Sequence, residues 1–307
     1  MNCPKISVVI PIYGVEKYIE RCARSLFEQT LDDIEYIFVD DCTKDLSISI
    51  LESVIDDYPD RKKQITILHH EENKGLPQAR KTGIMEARGE YIAHCDSDDW
   101  VEKEMYERLY IKAKDDDADI VFCDYYKTDG VNKKYINGIC KSTEKYAIIN
   151  DMVNGVIDHA TWMYIAKRNL YLSNPIVYPN GFMGEDYSLT LQLVYYSRGF
   201  ISYDHVALYN YWKKFDTNDY STDIETIQKH YSQKIENYNA ILRLLIEAVE
   251  SIKTRTLIAL IPRPKNKELN KVWASMNCDV SWYNILFDSH IPFKNKCKYF
   301  AHCAGLF

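Results

Sequence analysis

The segment His94-Cys95-Asp96-Ser97-Asp98-Asp99-Trp100 places three carboxylates within four positions, directly after the apolar run Tyr91-Ile92-Ala93. Two unit negative charges about 4 Å apart repel by roughly 4 kcal/mol at an effective dielectric near 20. A further carboxylate in reach adds to that penalty unless a cation or a hydrogen-bonded ligand offsets it. Oxygen donors so crowded at a strand end suit a divalent cation. The plainer reading is helix capping: Asp99 and Glu102 have the spacing of a capping box ahead of a helix through Met105, Leu109 and Ala113. Capping accounts for Asp99 and leaves Asp96 and Asp98 without a role.

The elements that must position these carboxylates alternate between strand and helix. Ile6 to Ile10 is an apolar run closed by Pro11, as in a strand buried on both faces. Beyond Gly14 the period changes to four, with Tyr18, Cys22 and Leu26 on one helical face. A second run, Tyr36 to Val39, ends in Asp40-Asp41 and leads to a helix carrying Ile48, Leu51 and Ile55. A third, Ile65 to Leu68, passes through Asn73-Lys74-Gly75 into a helix holding Ala79, Arg80, Gly83, Ile84 and Ala87, for which Gly89 is the expected C-cap. Strands alternating with helices imply an α/β fold with a mostly parallel sheet, whose ligands bind at the carboxyl ends of the strands. Asp40-Asp41 and Asp96 to Asp99 both follow strands, so both are expected at that edge.

Several classes are excluded. The turn Pro11-Ile12-Tyr13-Gly14 holds one glycine, no GxGxxG follows a strand and no GxxxxGK[ST] occurs, which removes dinucleotide-binding and P-loop sites. A formal charge of −7 and the lack of a long basic cluster argue against nucleic acid as a partner. The nine cysteines form no CxxC pair, and with no secretory signal they read as reduced thiols of a cytoplasmic protein. No apolar run reaches the 18 or so residues of a membrane span. The 25 tyrosines offer rings and hydroxyls of the kind that line clefts for polar ligands as well as ordinary cores.

Taken together, Ile6 to Pro11 with Tyr13, Val39-Asp40-Asp41, Asn73-Lys74-Gly75 with Ala79-Arg80, Ala87 to Ile92, Asp96-Ser97-Asp98-Asp99 and Gly184-Glu185-Asp186 resemble the inverting family 2 glycosyltransferases of GT-A fold. The likeness spans roughly residues 5 to 215. It implies a Rossmann-like central sheet flanked by helices, a nucleotide-sugar donor, foremost a UDP-sugar, and Mn2+ or Mg2+ as cofactor. It places Pro11 and Tyr13 beside the base, with Asp40 and Asp41 after the second strand and Asp41 on the base edge. Arg80 would approach the diphosphate or the adjoining carboxylates. Asp96 and Asp98 would contact the donor, and Asp98 or Asp99 would hold the metal. Asp186 is the expected general base, with Glu185 supporting it or positioning the acceptor, although both also suit a helix N-terminus. The closing segment Ala207 to Trp212 would bring Lys213 and Lys214 towards the diphosphate; a solvated basic pair is the alternative. The sequence departs from the family pattern at Gly14, Cys42 and Lys81, and Thr161-Trp162-Met163-Tyr164 lacks the lysine frequent there. Those departures bear on the acceptor and the fine choice of donor.

Rival classes are a sugar nucleotidyltransferase, which needs a Gly-rich basic loop after the first strand, and an inactive carbohydrate- or nucleotide-binding module. From Ser221 the alternation stops, and Ile227, Tyr231, Ile235, Tyr238, Leu242, Leu245 and Val249 mark a long amphipathic helix. The expected organisation is a catalytic domain over residues 1–220 and a mainly helical C-terminal extension over 221–307. The helical stripe needs cover from the catalytic domain or from a second subunit of a homo-oligomer. Phe293 to Phe300 interleaves basic and aromatic side chains, as either a packed helix or a peripheral membrane contact does. A membrane contact would suit a lipid-linked saccharide as acceptor, with a glycan as the alternative.

Overall fold

The structure is a computed structural model that describes residues 3–138, 142–153, 156–178 and 184–213, together with Ser232, Gln233 and Asn237. The expected helix from Ile227 to Val249, the Phe293 to Phe300 segment, Lys214 and the domain boundary near residue 220 lie outside the described residues.

The first part of the chain follows the expected alternation: β1 (Ile6–Ile12), α1 (Ile19–Phe27), β2 (Ile34–Asp40), α2 (Ser47–Asp56), β3 (Ile65–His69), α3 (Leu76–Glu86) and β4 (Tyr91–His94). These four strands pair in parallel in the order β3-β2-β1-β4. Every residue of β1, β2 and β4 is buried, which is why their sequences are mostly apolar and do not alternate. Helix α1 buries Ile19, Cys22, Ala23, Leu26 and Phe27 on one stripe.

Beyond β4 the chain forms β5 (Trp100–Val101), α4 (Met105–Asp115), β6 (Ala118–Thr128), β7 (Lys133–Ile136) and α5 (Lys145–Val153). A 3-10 turn at Thr161–Met163 then precedes β8 (Tyr164–Lys167), α6 (Arg168–Leu172), α7 (Glu185–Tyr196) and β9 (Phe200–Trp212). The sheet continues from β4 through β8, β6 and β9 to β5. Here the expected parallel character stops: β8 is antiparallel to β4 and β6, β5 is antiparallel to β9, and only β6 and β9 run together. The strict strand-helix alternation that enforces parallel crossovers is confined to the first four strands; in the second part β7 folds back on β6 as a hairpin. The sheet is therefore mixed, with helices on its faces. Among the described residues, no helix is long and apolar enough to cross a membrane.

Gly89 has a different task from the expected helix cap. Helix α3 ends at Glu86 with Ala87 in extended conformation as its cap, and the φ of Gly89 is not positive. A Cβ on Gly89 would sit 2.5 Å from the backbone nitrogen of Ser7 and 2.8 Å from the carbonyl carbon of Ile6. The glycine thus lets the chain pass against β1, where its N–H donates to Ser7 Oγ at 2.8 Å. Gly89→Ala is expected to cost about 1–3 kcal/mol, because backbone, not a flexible side chain, occupies the space. A urea midpoint equal to that of the wild type would contradict this.

Candidate active site

The carboxyl ends of β1, β2 and β4 lie side by side. The N–H of Asp41 donates to Ile12 O at 3.0 Å and that of Cys95 to Val9 O at 3.1 Å, so both acidic turns leave the sheet at one edge. Ser97 Oγ donates to the Pro11 carbonyl at 2.7 Å and ties the 96–99 segment to the end of β1. Tyr13 stands at the mouth of this edge with more than half of its surface exposed.

The two acidic turns then diverge in use. Asp41 is buried and accepts from the N–H groups of Lys74 and Gly75, both at 2.8 Å, while its Oδ1 also pairs with His70 Nδ1 at 2.7 Å. Both oxygens are engaged in holding the turn that starts α3, where Gly75 has a φ of +85°. Asp40 accepts the Thr43 N–H at 2.8 Å and pairs with His69 Nδ1 at 2.9 Å. This pair shapes the approach to α3 and does not join the second carboxylate cluster.

Helix α3 lies close on β1, since a Cβ on Gly83 would come within 2.4 Å of Val9 Cγ1. That approach carries Arg80 into the interior, where it is 1% exposed. Its Nη2 donates to Asp96 Oδ1 at 2.6 Å, and its Nη1 donates to Asp186 Oδ1 at 2.6 Å and to Glu185 Oε1. Burial works against the guanidinium charge, and Asp186 and Asp96 more than restore it, so the group is held above its ordinary pKa. Arg80 thus meets the adjoining carboxylates and is enclosed among them. Glu185 is buried on the same cation.

Asp99 does not cap α4, which begins at Met105. It is 1% exposed, its Oδ2 accepts the Tyr209 hydroxyl at 2.8 Å and its Oδ1 accepts the Trp212 N–H at 2.7 Å. The Tyr209 oxygen in turn accepts the Asp96 N–H at 3.1 Å. Strand β9 therefore clamps the acidic segment from above. Burial first, then the charges of Asp98 and Asp96, push the Asp99 carboxyl well up from the usual carboxylate range. Asp98 is pushed up to about 6 by burial and then by Asp96. No side-chain donor among the described residues reaches the Asp98 carboxylate; Arg21 Nη2 donates instead to its carbonyl at 2.8 Å, with the guanidinium stacked 3.8 Å over Trp100. His94 is fully buried, and burial followed by the Arg80 charge pushes it down to about 3, so it stays neutral.

Five carboxylates thus face two guanidinium groups at one edge: Asp96, Asp98, Asp99, Glu185 and Asp186 against Arg80 and Arg21. The excess of negative charge suits a dication, and of the five carboxylates Asp98 is the one that no side chain among the described residues donates to. Among the described residues no three side chains of His, Cys, Asp or Glu converge as a closed metal cage. Mg2+ and Mn2+ sites built from one or two carboxylates need none, because substrate phosphates and water complete them.

Gly184, at a φ of +80°, starts α7, and Asp186 occupies its first turn. The Asp186 side chain is 31% exposed, and its Oδ1 also accepts the Thr161 hydroxyl at 3.1 Å. Lys213 follows Trp212 at the end of β9, with its N–H on Thr128 O at 2.8 Å. The Thr161 and Tyr209 contacts were not among the expected site features. Tyr209 and Tyr211 share one face of β9, a period-2 signal for a functional wall, whereas nothing near Thr161 announces its partner 25 residues later.

Fold and site together are those of a glycosyltransferase. The family model for glycosyl transferase family 2 matches residues 7–184, and the chain belongs to that family. It is 36% identical over 176 residues to the uncharacterized glycosyltransferase EpsJ of Bacillus subtilis, covering 55% of this chain and 49% of EpsJ. It is 34% identical over 180 residues to the poly(ribitol-phosphate) β-glucosyltransferase of Bacillus spizizenii, covering 57% of this chain and 27% of that protein. The chain spans about half, or less, of these relatives' length. Its fold matches the crystal structure of S. aureus TarS in complex with UDP, with a TM-score of 0.72 and 20% identity over 98% of this chain and 87% of that one.

Proposed function

We propose that the chain is a metal-dependent inverting glycosyltransferase that moves a sugar from a nucleotide sugar, a UDP-sugar, to a hydroxyl of a glycan or lipid-linked saccharide in cell-surface polysaccharide synthesis. The observation that carries this reading is the division of labour around Arg80. Asp96, Glu185 and Asp186 share one buried cation, while Asp98 beside them has a carboxylate that no side chain among the described residues donates to.

In this reading Pro11 and Tyr13 flank the base, and Asp40 and Asp41 support that wall through the 70–75 turn. Asp96 borders the ribose and Asp98 holds Mn2+ or Mg2+, with Asp99 as the brace that fixes the segment to β9. When bound, the cation supplies Lewis-acid stabilisation of the negative charge that develops on the diphosphate. Asp186 removes the proton from the acceptor hydroxyl. The acceptor oxygen forms a bond to the anomeric carbon as the bond to the phosphate oxygen breaks, and the electron pair leaves with the nucleoside diphosphate. A single displacement of this kind inverts the anomeric centre. Lys213 stands at the end of β9 as a further diphosphate contact. UDP as the nucleotide has support from the TarS complex, and a polymeric surface acceptor from the poly(ribitol-phosphate) enzyme. A cytoplasmic setting agrees with the five free thiols among the described residues. Residues 1–220 would form the catalytic domain, and 221–307 the accessory part.

The test is a panel of UDP-glucose, UDP-galactose, UDP-N-acetylglucosamine and GDP-mannose, assayed for release of nucleoside diphosphate with and without Mn2+. One donor is expected to turn over only with the cation. Asp98→Asn is expected to lower that turnover at least about 100-fold, as loss of several kcal/mol of charge stabilisation implies. Turnover in EDTA equal to that with Mn2+ would refute the metal role.

A further inference from the structure

We propose that Thr161 is a positioning residue for the general base, aiming Asp186 Oδ2 at the acceptor by holding Oδ1; this rests on the reading of Asp186 as the base.

The Asp186 carboxylate has two unequal oxygens. Oδ1 accepts from Arg80 Nη1 at 2.6 Å and from Thr161 Oγ1 at 3.1 Å, whereas no donor among the described residues reaches Oδ2. Arg80 alone cannot fix the carboxylate, because its Nη1 is shared with Glu185 and its Nη2 is taken by Asp96. A second donor from another direction removes the remaining rotation about the bond to the carboxyl carbon. Thr161 is fully buried, and a carboxylate can only accept, so the hydroxyl proton is directed at Asp186.

The turn that presents Thr161 is itself immobilised. Trp162 stacks on Tyr209 with centroids 4.2 Å apart and planes 7° apart, lies 5.6 Å from Tyr211, and meets Tyr125 edge-on at 4.9 Å. Tyr209 is the residue that clamps Asp99 and the Asp96 N–H. One aromatic stack therefore fixes the carboxylates on the metal side and, through Thr161, the carboxylate on the acceptor side. A β-branched threonine adds a stiff χ1 to that arrangement. With Oδ1 doubly held, the exposed part of the side chain presents Oδ2, the oxygen free to take a proton.

The experiment compares wild type, Thr161→Val, Thr161→Ser and Asp186→Asn with the donor panel above and Mn2+, measuring nucleoside diphosphate release. Thr161→Val is expected to lower kcat roughly 10- to 100-fold, as a displaced catalytic group does, with the donor KM and the Kd for UDP with Mn2+ unchanged. Thr161→Ser restores most of the rate, since it keeps the hydroxyl. If Thr161→Val turns over as fast as wild type while Asp186→Asn is inactive, the positioning role falls and the base reading stands. If Asp186→Asn is as active as wild type, the base reading itself falls and takes this proposal with it. A change confined to donor KM also overturns it. Crystal structures of wild type and Thr161→Val give an answer without turnover: the carboxylate of Asp186 is expected to rotate in the valine variant, and an unchanged orientation refutes the proposal.

Discussion

Arg80→Met should lower the stability of the folded chain by about 3–5 kcal/mol, the cost of removing one partner from a buried ionic cluster. The reason lies in what stays behind. Glu185 is nearly as enclosed as Arg80, and Asp96 and Asp186 are partly buried, so three carboxylates would share the interior with no counter-charge from α3. Methionine fills the volume and supplies no proton. Arg80→Lys is a poor rescue, because a point charge cannot divide three carboxylates between two fixed donor directions. Urea unfolding monitored by circular dichroism is the direct measurement, with the loss appearing as a lower midpoint at unchanged slope. The variant is also expected to release no nucleoside diphosphate, since the base and the donor-side carboxylate lose their common anchor. A midpoint within error of the wild type would show that the cluster relaxes into water and that the fold does not depend on it.

Asp186→Asn separates chemistry from architecture. Asparagine can still accept from Arg80 and Thr161 through its amide oxygen, so the site keeps its shape. Its nitrogen cannot take the acceptor proton. Turnover is expected to fall roughly 10²- to 10⁴-fold, the usual contribution of a positioned base. Binding of UDP with Mn2+ by calorimetry should stay as in the wild type, because Asp186 meets the donor-side carboxylates only through Arg80. Turnover close to the wild-type rate would move the proton to another acceptor, whereas lost UDP binding would make Asp186 a donor-site residue. Beside it, Glu185 and Asp99 accept internal donors and His94 is buried and neutral, whereas the Asp186 side chain is 31% exposed, which supports the proposed base.

The alternation of apolar runs with four-residue periodicity determined the first four strands and three helices, because burial on both faces of a parallel sheet and on one stripe of a helix imposes periods that survive in the residues themselves. It also determined that acidic turns gather at one edge, since a parallel sheet sends the carboxyl end of every strand the same way. The tertiary structure decided what each carboxylate does there. The i, i+3 spacing of Asp99 and Glu102 fits a cap equally well, and only β9, arriving 110 residues after Asp99, supplies the Tyr209 hydroxyl that claims it. Asp41 sits in the same kind of turn as Asp96, yet the Lys74 and Gly75 N–H groups consume it. Arg80 lies 105 residues before Glu185 and 106 before Asp186, and only the meeting of α3 with the start of α7 makes them one cluster. Spacing records local geometry; which donor meets which acceptor across a fold depends on the whole arrangement, and no short stretch of residues contains it.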